Sequence, residues 1–231
     1  DKKNENWLWI CSNKGLVLFD EKEEAFLSIY SIDQSEFQFI PTDNVQHLYQ
    51  DEAGIYWLAT ADGIIRWDKA KNEYRQLTVA DGLSSNVIYA VYPDDYDNLW
   101  MSSDYGVIRM NKTTLAIKNY LPKNGVGHQE FNRISHYSYR DDDGVQRLFF
   151  GGLGGVTAFY PKDFQANEQV IKPILTLLSF KQYNEKQGFI VDNTLNAIAN
   201  KEIVIQPNDY IHSFEVGLLS YQNVDNNLYR Y

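Results

Sequence analysis

The sequence predicts an all-β fold built from repeated short-stranded units, on three observations. An aromatic residue followed by glycine six positions later, and by an apolar residue ten positions later, recurs four times: Trp9–Gly15–Phe19, Trp57–Gly63–Trp67, Trp100–Gly106–Met110 and Phe149–Gly155–Phe159. Every copy has a small residue two places after the aromatic: Cys11, Ala59, Ser102 and Gly151. Helical periodicity is nowhere sustained. The copies start 48, 43 and 49 residues apart, a period that fits the four short strands of a β-propeller blade.

Each unit follows from local chemistry. Alternation puts the aromatic and the small residue on one face of a strand, a large side chain beside a gap. Asp62-Gly63, and Asn13 and Asp104 two residues before Gly15 and Gly106, supply a turn that tolerates positive φ, so a hairpin follows. The return strands, "GIIRWD" and "GVIRMN", end on Asp or Asn. Outer and inner strands are expected at 74–78, 44–51 and 86–94 around these hairpins. A β-sandwich would also suit short strands with regular turns, but it gives no reason for a repeat of this period. The recurrent aromatics are expected to be core residues in either case, not a sugar-stacking platform.

Composition sets wider limits. A chain of 231 residues is long enough for one large all-β domain, or for one domain and part of another. The net charge of −10 argues against a nucleic-acid surface, which needs clustered Lys and Arg. Cys11 is the single cysteine, so no internal disulfide is expected. The apolar run at 173–180 is too short to span a bilayer.

The stretch 81–111 resembles the two-component regulator propeller repeat, D-G-L-S-x-N-x-V, an acidic turn, then L-W-[IV]-[GS]-T-x-x-G-[LI]-x-R-[FY]. Asp81, Gly82, Leu83, Ser84, Asn86, Leu99, Trp100, Gly106 and Arg109 fall on it, while Ser103 replaces Thr and Met110 the aromatic. The copy at 43–68 keeps Asn44, Asp51, Gly54, Trp57, Thr60, Gly63 and Arg66 but lacks the D-G-L-S opening. Residues 127–164 resemble the closing blade of such propellers through Glu130, Phe131, Asn132, Asp143, Gly144, Phe150, Gly151, Gly152, Gly155, Phe159 and Pro161. Farther on, Phe214, Glu215, Val216, Tyr221, Val224, Asn227, Tyr229 and Tyr231 resemble the start of the three-tyrosine domain that follows these propellers, an immunoglobulin-like β-sandwich. The expected division is therefore 1–165, about four blades with Asp1 starting inside the first, and 166–231, a linker and the N-terminal part of the sandwich.

The residues themselves offer no catalytic site. His47, His128, His136 and His212 form no metal-ligand pair in sequence. No nucleophile elbow, P-loop or dinucleotide fingerprint occurs, and "GGLGG" at 151–155 reads as a blade turn. The acidic stretches at 93–98 and 140–144 lack the alternation and distal Glu of an EF-hand and read as hairpin turns. No cofactor, metal or catalytic residue is expected.

The resemblance implies a function that the spacings do not. It implies a piece of the periplasmic sensor region of an inner-membrane histidine kinase, often a hybrid two-component system, that senses an oligosaccharide and regulates polysaccharide use. It further implies homodimerisation through the three-tyrosine domain and membrane attachment through a transmembrane helix outside this segment. The same architecture can precede a diguanylate cyclase. A propeller glycosidase or lyase is a different class and would need carboxylates or a Tyr/His pair converging on the central channel. The least regular loop, 121–133, nominates His128, Gln129 and Arg133 as ligand contacts.

Overall fold

In a computed structural model of the chain, the sequence repeat becomes four successive antiparallel sheets. The structure describes residues 1–34, 39–165, 175–184, 188–205, 207 and 209–218. The first sheet holds β1 (Trp7–Ser12), β2 (Gly15–Asp20) and β3 (Ala25–Tyr30). The second holds β4 (Val45–Gln50), β5 (Tyr56–Thr60), β6 (Gly63–Asp68) and β7 (Glu73–Leu77). The third repeats that order with β8 (Ile88–Pro93), β9 (Asn98–Ser103), β10 (Gly106–Asn111) and β11 (Ile117–Tyr120). The fourth holds β12 (Phe131–Arg140), β13 (Gln146–Gly152) and β14 (Gly155–Phe159). These sheets are propeller blades, and the strands expected at 44–51, 74–78 and 86–94 are β4, β7 and β8.

Packing between blades explains why the sequence repeats. In the second blade Tyr56, Leu58, Ile65 and Trp67 face the first blade and join Leu16, Leu18 and Tyr30 in one core. The opposite face presents Trp57, Ala59, Ile64 and Leu77 to Leu99, Met101, Ile108 and Met110 of the third blade. The three leading tryptophans each meet the residue at position ten of the next copy. Trp9 lies 6.2 Å from Trp67, Trp57 shares a core with Met110, and Trp100 lies 4.8 Å from Phe159. In the second and third blades the small residue two places on, Ala59 or Ser102, is fully buried, and a larger side chain there would have to displace the neighbouring blade.

Three polar devices recur with the aromatics. The indoles of Trp57 and Trp100 donate to Asp51 Oδ2 at 3.2 Å and Asp94 Oδ2 at 2.8 Å. Both acids also accept backbone N–H groups in the turn before the Trp strand, so one carboxylate ties turn to core. Hydroxyls of Ser12, Thr60 and Ser103 donate to the carbonyls of Gly15, Gly63 and Gly106 at 2.7–2.9 Å and close the hairpins. The N–H groups of those glycines then donate to Asp43, Asn86 and Gln129 carbonyls in the next blade at 2.6–2.7 Å. Gly106 shows why glycine is required: φ is 87° and a Cβ would stand 2.4 Å from the Tyr120 carbonyl.

The chain divides into two compact units, Asp1–Asn167 and Glu168–Tyr231. In the second, β15 (Leu175–Asn184) lies between β16 (Phe189–Asp192) and β17 (Asp209–Leu218), with α1 (Thr194–Asn200) between the two partners in sequence. Phe180 is buried and stacks on Phe214 at 4.9 Å. The helix is held by Thr194 Oγ1, which accepts the Phe180 N–H at 2.8 Å. Tyr221, Val224, Asn227, Tyr229 and Tyr231 lie outside the described residues.

Candidate functional site

The first strands of the three later blades, β4, β8 and β12, pack against one another and bring three polar rings together. His47 on β4 and His136 on β12 have ring centroids 4.7 Å apart, and Tyr92 on β8 lies 5.1 Å from His47 and 5.5 Å from His136. The Val91 N–H donates to His47 Nδ1 at 3.2 Å, so the neutral ring carries its proton on Nε2. Tyr92 Oη and His136 Nδ1 share a hydrogen bond of 2.8 Å.

Burial sets the charge of this cluster. Desolvation, with the nearby His136 second, pushes His47 down to about 4, against a small opposing effect of the Val91 N–H. Desolvation also lowers His136 and raises Tyr92. All three groups are therefore neutral at pH 7. The cluster offers hydrogen-bonding edges without charge, chemistry suited to hydroxyl groups. Among the described residues no group of three His, Cys, Asp or Glu side chains is placed to hold a metal ion.

Beside the cluster the fourth blade breaks the repeat. In β4 and β8 a single residue, Gln46 or Tyr89, is bulged out of register against the neighbouring strand. In β12 the register jumps from Phe131–Gly152 to His136–Phe150, leaving residues 132–135 opposite Gly151 alone. Ile134 within this bulge has a φ of 70° and is 83% exposed. A β-branched residue in the left-handed region is strained, and bulges of this kind re-aim side chains near functional sites. Arg133 stands on the bulge, exposed. Its charge reaches Cys11 on β1, where it opposes the desolvation that drives the thiol up to about 11, so Cys11 stays protonated and unreactive.

The other two nominated residues take different parts. The Gln129 carbonyl accepts the Gly106 N–H at 2.7 Å while the residue is exposed. His128 is half-buried, with its ring 4.6 Å from Phe131. A Cβ on Gly152 would come within 2.2 Å of His128 Nε2. Gly152 is the position that carries the hydroxyl clamp in the other three blades, so the imidazole occupies the space that a clamp side chain would take. His128 Nε2 is buried with no hydrogen-bond partner among the described residues. The loop thus brings Gln129 and Arg133 to the surface and turns His128 inward. The His47–Tyr92–His136 cluster is not among the residues that the sequence nominates, because its members stand 44–45 residues apart. The one signal that points to it is that all three fall on the first strands of consecutive blades.

Comparison with known proteins places these features. Residues 82–105, which contain β8 and β9 of the third blade, match the family described as two component regulator propeller. Over 154 residues, 65% of this chain, the sequence is 29% identical to histidine kinase P4 of Formosa agariphila, and it covers 11% of that protein. Two solved structures from B. thetaiotaomicron, both extracellular domains of proteins described as hybrid two component systems, share the fold. The first has a TM-score of 0.58 at 19% identity and covers 80% of this chain and 25% of its own. The second has a TM-score of 0.53 at 24% identity and covers 77% and 24%. This chain therefore spans about a tenth of the curated relative and about a quarter of the solved domains. No helix among the described residues is long and apolar enough to cross a membrane.

Proposed function

We propose that this chain is part of the extracytoplasmic sensor region of a two-component histidine kinase and that its blades bind an oligosaccharide. On this reading the second unit continues as an immunoglobulin-like domain, pairs in a homodimer and passes the signal to a transmembrane helix of the inner membrane. The segment itself binds and transmits; phosphoryl transfer belongs to the rest of the protein. The observation that supports the reading is the shared blade chemistry. The aromatic, the acid that caps its indole and the clamped glycine recur through the chain, and the blade that matches the regulator family is built from them.

Gln129 and Arg133 are the proposed saccharide contacts, with His128 positioning their loop. They stand beside the enlarged bulge and the neutral His47–Tyr92–His136 cluster. Binding signals only if the ligand favours one arrangement of the dimer over the other. Calorimetry of the complete extracytoplasmic region against a panel of plant and algal oligosaccharides tests this. One saccharide is expected to bind selectively, and Arg133→Ala is expected to weaken it about tenfold or more without changing the thermal midpoint. Failure of every saccharide to bind, or binding untouched by both Arg133→Ala and Gln129→Ala, would sink the assignment.

A further inference from the structure

The contact between the second and third blades carries a charge arrangement that the fold does not explain. Trp57 on β5, Arg66 on β6 and Arg75 on β7 stand directly opposite one another across the sheet. Like charges in a cross-strand pair are destabilising. Arg66 lies over the Trp57 ring at 5.9 Å, but neither guanidinium has a carboxylate partner among the described residues. Both line a groove of about 660 Å³ whose far wall is Lys112 and Leu115 of the third blade.

The acids along this groove are already engaged. Glu52 pairs with Lys2. Asp97 holds Lys112 at 3.3 Å and accepts the Thr113 hydroxyl at 2.7 Å. Asp51 accepts the Trp57 indole at 3.2 Å and the Ile55 N–H at 2.9 Å. In a chain of net charge −10, two facing guanidiniums are left without a counter-ion among the described residues.

The next contact shows the same row completed. Trp100, Arg109 and Lys118 are opposite one another on β9, β10 and β11. There Arg109 donates to the Phe164 carbonyl at 3.1 Å, and the Phe164 ring lies 5.0 Å from Trp100. Leu115 holds the place of Phe164 in the earlier contact, and its carbonyl is not offered to Arg66.

We infer that this groove is a binding site for an oxyanion, a carboxylate or a sulfate ester on an acidic ligand, held by Arg66 and Arg75, with Lys112, already paired with Asp97, on the far wall. A guanidinium presents paired N–H donors that match either group, and the anion would replace the mutual repulsion of the two arginines with two charge-assisted contacts. The site lies on residues distinct from Gln129 and Arg133, so it stands or falls apart from the saccharide reading.

The test is titration of the 231-residue chain with sodium sulfate and, separately, with sodium glucuronate, at ionic strength held constant with chloride. The indole N–H resonance of Trp57 and the side-chain N–H resonances of Arg75 report the site. At least one of the two anions is expected to give saturable shifts, and the one that saturates identifies the tetrahedral or the planar group. Arg75→Gln is expected to weaken binding about tenfold or more while leaving the thermal midpoint in chloride equal or higher, because it relieves the facing charges. Linear, non-saturating shifts with both anions, or saturable shifts unchanged by Arg75→Gln, overturn the proposal. So does a loss of thermal stability in Arg75→Gln, which would mean that the arginine is there to hold the fold.

Discussion

The half-buried His47 makes stability depend on pH in a calculable way. Its folded value falls from 6.5 to about 4, chiefly through desolvation beside His136. A histidine depressed in the native state binds protons more readily when unfolded. Its neutral form therefore stabilises the fold fully above pH 6.5, and that stability drains away as pH falls toward 4. The fall converts to about 3 kcal/mol, most of which is lost by about pH 4.5. His136 is lowered in the same direction, and two rings this close titrate as a pair. Replacing His47 with Gln removes the titration and keeps an acceptor for the Val91 N–H. Urea unfolding at about pH 7 and about pH 4.5 separates the effect from the carboxylates, which both proteins share. The wild type should lose about 2–3 kcal/mol more than His47→Gln over that interval. Equal losses would show that the ring is solvated in the folded protein and that the inner strands do not close over it.

Two further outcomes test the blade chemistry. Asp94 is buried and serves Trp100, Asn98 and the Tyr96 N–H at once, so Asp94→Ala should cost about 3 kcal/mol in urea unfolding. Gly106→Ala and Gly155→Ala both place a side chain at positive φ, but only the first meets a carbonyl, at 2.4 Å, while the second meets nothing within 4 Å. The first should therefore lower stability by about 2 kcal/mol more than the second.

The strands are legible in the sequence because their signals are local. An aromatic, a small residue two places on and a glycine six places on define a hairpin within a dozen residues, and β4, β7 and β8 fall where alternation puts them. The helix at Thr194–Asn200 is not legible. Its seven residues are too few to establish a helical period, and its anchor, the Phe180 N–H on Thr194, is a tertiary contact. The site is legible only in part. The loop 121–133 stands out by irregularity, which nominates His128, Gln129 and Arg133, but the inward turn of His128 depends on Gly152 lacking a side chain. The pairing of His47 with His136, and of Arg66 with Arg75, depends on register between strands, which residue types alone do not specify.

Departures from the repeat say more about binding than the repeat does. Trp57 and Trp100 are fully buried and tied to Asp51 and Asp94, so exposing either to a ligand would break both the core contact and a turn. The same holds for the hydroxyl clamps, whose oxygens already serve the backbone. Side chains released from such duties are found where one blade differs from the others. The bulge at 132–135 frees Arg133 from the pleat, and Arg66 lacks the backbone-carbonyl bond that Arg109 makes to Phe164. Both departures leave a guanidinium unmatched among the described residues of an acidic chain. On the two proposals made above, an acceptor from outside the chain supplies the partner that each lacks.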